Sequence, residues 1–149
     1  LFNNLTNSST LAKNMLFATL DSSIKKLNIN SQNFILIDTV GFIRDLPTNL
    51  IAAFKSTLDE IIFSDLILHV RDVSDKDSHN QANEVVKVLE EIGINSCDDR
   101  IIEVFNKYDL LENNLLTDSK INQKKHFISA INGFGIKKLR DTIYKNLKK

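Results

Sequence analysis

The stretch that decides the fold is FILIDTVGFIRDLP, residues 34–47. It begins with a continuous apolar run that is too short for a helix and is typical of a buried strand. The run ends at Asp38, and a loop follows from Gly41 to Pro47. In nucleotide-hydrolysing proteins an aspartate at such a strand end faces Mg²⁺ and a terminal phosphate. The stretch therefore predicts a strand whose carboxyl end leads into a phosphate-facing loop.

Outward from this stretch, strand and helix patterns alternate along the chain. Such alternation through short connections indicates βαβ units, a mostly parallel sheet and a three-layer α/β fold. The 149 residues are enough for one domain with a real core, predicted to span residues 1–149. The predicted strands are 23–30, 33–38, 65–73, 101–105 and 126–129, the predicted helices are 1–8, 50–61, 82–92 and 136–147, and the predicted loops include 9–23 and 41–47.

Composition excludes several classes of protein. Lys plus Arg and Asp plus Glu are both 19, so no net charge argues for nucleic acid or an anionic membrane. The single cysteine, Cys97, excludes an internal disulfide and fits a reducing compartment. No apolar run approaches the ~20 residues of a membrane span, and no signal peptide is visible. We therefore expect a cytoplasmic protein with no membrane span.

Polar motifs follow three of the predicted strands. Because ligands bind outside the carboxyl ends of parallel strands, these motifs are the candidate site. One strand ends in Asp38, another runs into Asn-Lys-Tyr-Asp at 106–109, and a third into Ser129-Ala130. An Asn-Lys-x-Asp motif followed by Ser-Ala is the arrangement by which GTPases read guanine. A carboxylate accepts hydrogen bonds from N1–H and the 2-amino group of guanine, which adenine cannot reproduce.

The same motifs, taken together, resemble a known family. The chain is similar to the G domain of the HflX GTPases, P-loop proteins that associate with the large ribosomal subunit. The resemblance implies a three-layer, Ras-like G-domain fold, GTP and GDP as ligands, and GTP hydrolysis linked to the ribosome. It is carried by LFATLD (16–21), DTVGFIRDLP (38–47), AFKSTLDE (53–60), DLILHVRDVS (65–74), NKYDLL (106–111) and FISA (127–130).

The resemblance implies a set of residues on the phosphate side of the site. Thr19 would meet Mg²⁺ and the γ-phosphate, Asp38 would hold Mg²⁺ through a water, and the Gly41 N–H would sense the γ-phosphate. Phe42 stands where many GTPases place a glutamine that orients the attacking water, so that function must come from another group. The implied GTP-binding residues on this side are Thr19, Asp38, Thr39, Val40, Gly41 and Phe42, with Thr19 and Asp38 as the Mg²⁺ residues.

On the base side, the resemblance implies that Asn106, Lys107 and Asp109 read guanine with help from Ser129 and Ala130. The Asp109 carboxylate would pair with the base edge, and the Lys107 stem would lie over the ring. The Asn106 amide would support the base edge and the loop, and the Ala130 N–H would donate to O6.

The family's phosphate-binding loop, Gly-x-x-x-x-Gly-Lys-Ser-Thr, precedes the residues that match Leu1-Phe2-Asn3, so the sequence lacks the first strand and that loop. One interpretation is a segment of an HflX-type GTPase whose remaining residues lie upstream, in the same chain or in a separate fragment. Another is an inactive remnant that acts only as a binding or interaction module. A nucleotide-independent RNA-binding module is a third, since the last predicted helix carries Lys137, Lys138, Arg140, Lys145, Lys148 and Lys149.

The histidines favour structural interpretations. His69 lies within a predicted strand between apolar residues, so we expect it in the core. His79 and His126 are expected to be exposed, and no spacing of His, Cys and Asp suggests a zinc site.

Overall fold

The computed structural model describes residues 1–6, 23–39, 58–111 and 124–148. They divide into two compact units, Phe2–Ser64 and Asp65–Lys149 with Leu1. The elements, in chain order, are α1 (Phe2–Thr6), β1 (Ser23–Ile29), β2 (Gln32–Asp38), β3 (Ile67–Asp72), α2 (Ser78–Glu91), β4 (Ile101–Asn106), a 3₁₀ turn (Tyr108–Leu110), β5 (Lys125–Phe127) and α3 (Ile136–Leu147). Residues 58–62 are also helical.

The first unit contains an antiparallel hairpin of β1 and β2. Its two-residue turn, Asn30 and Ser31, has φ values of 49° and 63°. Positive φ at both central residues is the geometry whose twist suits a two-residue hairpin. Along β1, Leu27 and Ile29 are buried, while residues 24–26 and Asn28 are exposed. The apolar side of the hairpin and α1, which packs against it, therefore form the core of this unit.

The second unit contains a parallel sheet with strand order β3-β4-β5. In register, Asp72 on β3 lies beside Asn106 on β4, and Phe105 on β4 beside Phe127 on β5. Helix α2 connects β3 to β4 and contacts β3. Because the strands are parallel, their carboxyl ends meet at one end of the sheet, where the predicted base-reading motifs begin.

Both helices of the second unit bury one apolar face. Helix α2 buries Ala82 and Leu89 and ends just before Gly93, whose φ is +86°. Glycine in this left-handed region is a common helix stop, so the predicted C-terminal signal is confirmed. Helix α3 buries Ile136, Leu139 and Ile143, as the predicted periodicity required.

The predicted α/β class with a parallel sheet is confirmed, with small shifts at element ends. The strand predicted over 65–73 narrows to Ile67–Asp72, and the one predicted over 126–129 moves to Lys125–Phe127. Of the helix predicted over 50–61, only the part from residue 58 lies within the described residues, and it is helical. The loop predicted over 41–47 lies outside them, as does the loop predicted over 9–23 except for Ser23, which begins β1. Within the described ranges, no helix is long and apolar enough to cross a membrane.

The prediction that His126 is exposed is wrong. Its side chain is 3 % exposed, because it sits in the middle of the short strand β5 beside Val104, which is 0 % exposed. His79 is exposed, as predicted, and His69 is partly buried.

Candidate functional site

A side chain at the end of β4 joins the loops that follow β4 and β5. The Asn106 Oδ1 accepts a hydrogen bond from the Ala130 N–H at 3.0 Å. The backbone adds further links between these segments, since the Tyr108 N–H donates to the Ile128 carbonyl at 3.1 Å and the Ile128 N–H to the Phe105 carbonyl at 2.8 Å. The motifs at 106–109 and 129–130 are thus held together as one structural feature.

The Ala130 N–H is the group expected to donate to guanine O6. It is already paired with Asn106 here, so contact with O6 requires that the N–H be shared with the base or released by Asn106. Asn106 therefore both supports the loop and sets the availability of this donor.

Lys107 is held at its backbone and at its ammonium group. Its φ is +64°, in the left-handed region that non-glycine residues rarely occupy. Its Nζ lies 2.6 Å from Oδ2 of Asp72, the last residue of β3. Burial acts to raise the pKa of Asp72, but hydrogen bonds from Lys107 and Ser74 outweigh it, so the pKa is below its usual value.

Asp109 presents a carboxylate to solvent. It lies in the 3₁₀ turn Tyr108–Leu110, which the Leu110 N–H closes by donating to the Lys107 carbonyl at 3.0 Å. Within the described part of the chain its carboxylate has no hydrogen-bond or ion-pair partner, and its side chain is exposed. An ionised carboxylate is an acceptor only, so it is free to take two N–H groups of a ligand.

The loop after β5 is a tight turn built around Ser129, which is 0 % exposed. The Ser129 N–H donates to the Phe134 carbonyl at 3.0 Å, and its carbonyl accepts from the Gly133 N–H at 2.9 Å. Its Oγ accepts from the Asn132 N–H at 3.3 Å. These bonds fix the backbone on which Ala130 stands.

Gly135 allows this loop to approach the sheet closely. Its φ is +73°, and a Cβ there would collide with the Phe127 carbonyl oxygen and lie 3.0 Å from Cγ2 of Ile128. No side chain fits without moving the end of β5. The turn is therefore specified by a residue outside the predicted base-reading motifs.

Stacked aromatic rings support both loops. Phe105 and Phe127 stack with centroids 4.7 Å apart, and Tyr108 stacks on Phe134 at 5.2 Å. Tyr108 also meets Phe127 at 5.9 Å with tilted planes. Contacts of this kind contribute about 0.5–1.5 kcal/mol each beyond their buried area. The loop after β4 is thus packed against the loop after β5 as well as hydrogen-bonded to it.

Asp38 and Thr39 belong to the other unit, where Asp38 ends strand β2 and Thr39 follows it. Both are partly buried, and burial raises the pKa of the Asp38 carboxyl. A nearby cation would favour its ionised form. Mg²⁺ is usually bound through one or two carboxylates, with phosphates and waters completing the octahedron, so this single carboxylate fits such a site. The described residues contain no group of three or more His, Cys, Asp or Glu side chains placed to hold a metal.

The structure brings together the predicted base-side residues, which are Asn106, Lys107, Asp109, Ser129 and Ala130. The predicted residues Thr19, Val40, Gly41 and Phe42 lie outside the described residues. Sequence reasoning missed Asp72, Gly135 and the Tyr108–Phe134 stack. Asp72 carries the same signal as the other candidates, since it is a polar residue at the end of a strand.

A family model described as "50S ribosome-binding GTPase" matches residues 1–107. A "GTPase HflX" of Lacrimispora saccharolytica is 43% identical over 152 residues, covering 99% of this chain and 36% of that protein. A "GTPase HflX" of Caldanaerobacter subterraneus subsp. tengcongensis is 43% identical over 148 residues, covering 99% of this chain and 33% of that protein. The chain thus spans about a third of the length of these relatives.

Among solved structures, the chain is similar to a GTP-binding protein from the archaeon Sulfolobus solfataricus in complex with GDP. The two are 26% identical with a TM-score of 0.72, covering 97% of this chain and 47% of the other. The predicted G-domain fold and the resemblance to the HflX proteins are both confirmed. The chain belongs to the family of 50S ribosome-binding GTPases, in which its relatives include the HflX GTPases.

Proposed function

We propose that this chain is the guanine-reading part of a Mg²⁺-dependent GTPase of the HflX type. The observation that carries the proposal is the hydrogen bond between Asn106 and the Ala130 N–H, which joins the loops after β4 and β5. A GDP-bound relative of the same fold supports it. Asp109, exposed and without a partner among the described residues, accepts N1–H and the 2-amino group of guanine. The Lys107 stem covers the ring, and Ser129 and Ala130 shape the O6 side.

The phosphate side of the proposed site rests on the resemblance together with Asp38. Asp38 contributes a carboxylate for Mg²⁺, and Thr19, Thr39, Val40, Gly41 and Phe42 line the phosphates. Bound Mg²⁺ would neutralise phosphate charge during hydrolysis. Hydrolysis also needs the backbone N–H groups and lysine of a phosphate-binding loop.

The proposed partner is the large ribosomal subunit. Helix α3 exposes Lys137, Lys138 and Lys145, and Lys148 just after it is also exposed. Lysines bind RNA phosphate with release of counterions. The proposed compartment is the cytoplasm, which suits an exposed free thiol at Cys97. Sedimentation with isolated large subunits tests the partner. Co-sedimentation that weakens with added salt supports it, and none at low salt contradicts it.

The nucleotide is tested by titrating the 149-residue chain with fluorescent GDP and Mg²⁺, followed by competition with unlabelled GDP and ADP. Saturable binding that GDP reverses and ADP does not is the expected result. Xanthine carries an oxygen at the position where guanine carries its 2-amino group. The Asp109→Asn variant presents an amide N–H that can donate to this oxygen. It should bind GDP at least about tenfold more weakly and gain affinity for xanthosine diphosphate. Asp141→Asn makes the same charge change at an exposed position of α3 and is the matched control. It should change neither the affinity for GDP nor the affinity for xanthosine diphosphate.

The competing interpretation is an interaction module without nucleotide turnover. Absence of saturable GDP binding by a chain shown to be folded would favour that interpretation. If the chain binds GDP and the Asp109→Asn variant binds it with the same affinity, the base is instead recognised by other residues.

A further inference from the structure

We propose that Asp72 is a positioning residue for guanine recognition, which holds the Lys107 ammonium so that the lysine stem is ordered before the base arrives. This inference rests on the proposed function, because it gives Lys107 a base to cover. Asp72 lies outside the Asn-Lys-x-Asp and Ser-Ala motifs. It ends β3, whereas Lys107 follows the end of β4.

Sheet register places the two residues together. Asp72 lies beside Asn106 in the parallel ladder, and the Val73 N–H donates to the Asn106 carbonyl at 3.0 Å. The position of the Asp72 backbone relative to Lys107 is therefore fixed by strand pairing. A carboxylate at the end of β3 can reach the ammonium of the residue that follows Asn106, and it does so at 2.6 Å.

The Asp72 carboxylate is itself oriented. Its Oδ1 accepts hydrogen bonds from the Ser74 N–H at 3.0 Å and from the Ser74 Oγ at 2.6 Å. Its Oδ2 is left to face the Lys107 Nζ. Because Ser74 holds one oxygen, the other presents a fixed acceptor rather than a freely rotating one.

Lys107 is consequently restrained at both ends of its side chain. Its backbone is in the left-handed region, with φ +64°, and its ammonium is paired, although the side chain remains 44% exposed. Lysine loses much rotamer freedom on being ordered, and a ligand that must order it binds more weakly. A stem ordered in advance offers its methylene groups to the face of a base without that cost.

The test compares Asp72→Asn with Asp75→Asn in the 149-residue chain. Asn keeps an acceptor for Ser74 but loses the charge that holds Lys107. Asp75 lies on the same loop and feels the charge of Lys107 without contacting it, since its own oxygens pair with the Asp77 N–H and with Gln81. Asp72→Asn should weaken GDP binding by about two- to fivefold, the range expected for a part-exposed ion pair. Asp75→Asn should leave it unchanged.

A double-mutant cycle separates positioning from a merely structural role. In a Lys107→Met background, Asp72→Asn should have no further effect on GDP affinity, because no ammonium remains to be held. NMR titration of the carboxyl groups supplies a readout without nucleotide: Lys107→Met should raise the pKa of Asp72, and Asp75→Asn should not.

Four results would overturn the inference. An equal weakening by Asp72→Asn in both backgrounds would mean that Asp72 acts only through the fold. If the pKa of Asp72 is the same with and without the Lys107→Met substitution, the ion pair does not form in solution. If the unsubstituted chain binds GDP and Asp72→Asn binds it equally well, this inference alone is refuted. If the unsubstituted chain does not bind GDP, the proposed function is refuted together with this inference.

Discussion

Replacing Gly135 by alanine should destabilise the chain more than the same change at Gly133. Both glycines have positive φ, +73° and +83°, so both substitutions incur the strain of about 1–2 kcal/mol that an L residue pays there. The entropy that alanine removes from the unfolded chain is also common to both. The two positions differ only in the space available to a Cβ.

At Gly133 a new Cβ meets nothing within 4 Å, whereas at Gly135 it collides with the Phe127 carbonyl oxygen. Ile128, the other neighbour, is 0 % exposed and cannot move into solvent. Forcing atoms into a packed site costs about 1–3 kcal/mol. We therefore expect Gly135→Ala to lower the free energy of unfolding by about 2–5 kcal/mol and Gly133→Ala by about 1–2 kcal/mol.

Urea denaturation of both variants measures this difference. A lower midpoint with an unchanged slope reports a loss of stability rather than a change in the unfolded state. Each kcal/mol should correspond to about 2–4 °C in Tm for a chain of this size. Equal losses for the two variants would refute the claim that close approach of Gly135 to β5 shapes the loop that carries Ala130.

Three further predictions concern the same unit. Asn106→Leu removes the side-chain acceptor of the Ala130 N–H and should cost about 1–3 kcal/mol in urea denaturation, whereas Asn106→Asp keeps an acceptor and should cost less. Burial lowers the pKa of His69 from 6.5, so the unfolded state binds the proton more tightly and stability should fall as pH drops below 6.5 toward the folded pKa. His69→Gln should flatten that part of the stability–pH curve, and an unchanged slope would argue against burial as its cause. A double-mutant cycle of Tyr108→Leu and Phe134→Leu should give a coupling of about 0.5–1.5 kcal/mol, and additive losses would mean that the rings do not interact.

Much of the fold could be predicted because strands and helices leave periodic patterns. The helix that buries Ile136, Leu139 and Ile143 was recognisable in this way. The apolar run that ends at Asp38 forms the predicted strand β2, but the prediction that this strand is buried is wrong, since Ile35 is 72% exposed. The burial of His126 could not be predicted, since a strand of three residues is too short to establish which of its faces is buried. The sequence does not predict the Asn30–Ser31 turn, because Asn30 falls within the strand predicted over 23–30 and serine gives no strong signal for positive φ.

The candidate site was predictable as a set of residues but not as a set of contacts. Strand-end reasoning identified Asn106 and Ala130, yet their hydrogen bond depends on how β4 and β5 pair. Asp72 follows from the same reasoning, but its role depends on the register between β3 and β4. Contacts between loops of different strands are set by tertiary structure, which local sequence patterns do not encode.

The hydrogen bond between Asn106 and Ala130 also has a consequence for folding. It joins residues separated by 24 positions, and it requires β5 to have paired with β4. Contacts of high sequence separation form only after the entropy of closing the intervening chain has been overcome. The loops proposed to read the base should therefore be completed late on the folding pathway. If the proposed function holds, guanine-nucleotide binding arises together with the docking of the C-terminal segment, and nucleotide present during folding stabilises that last step.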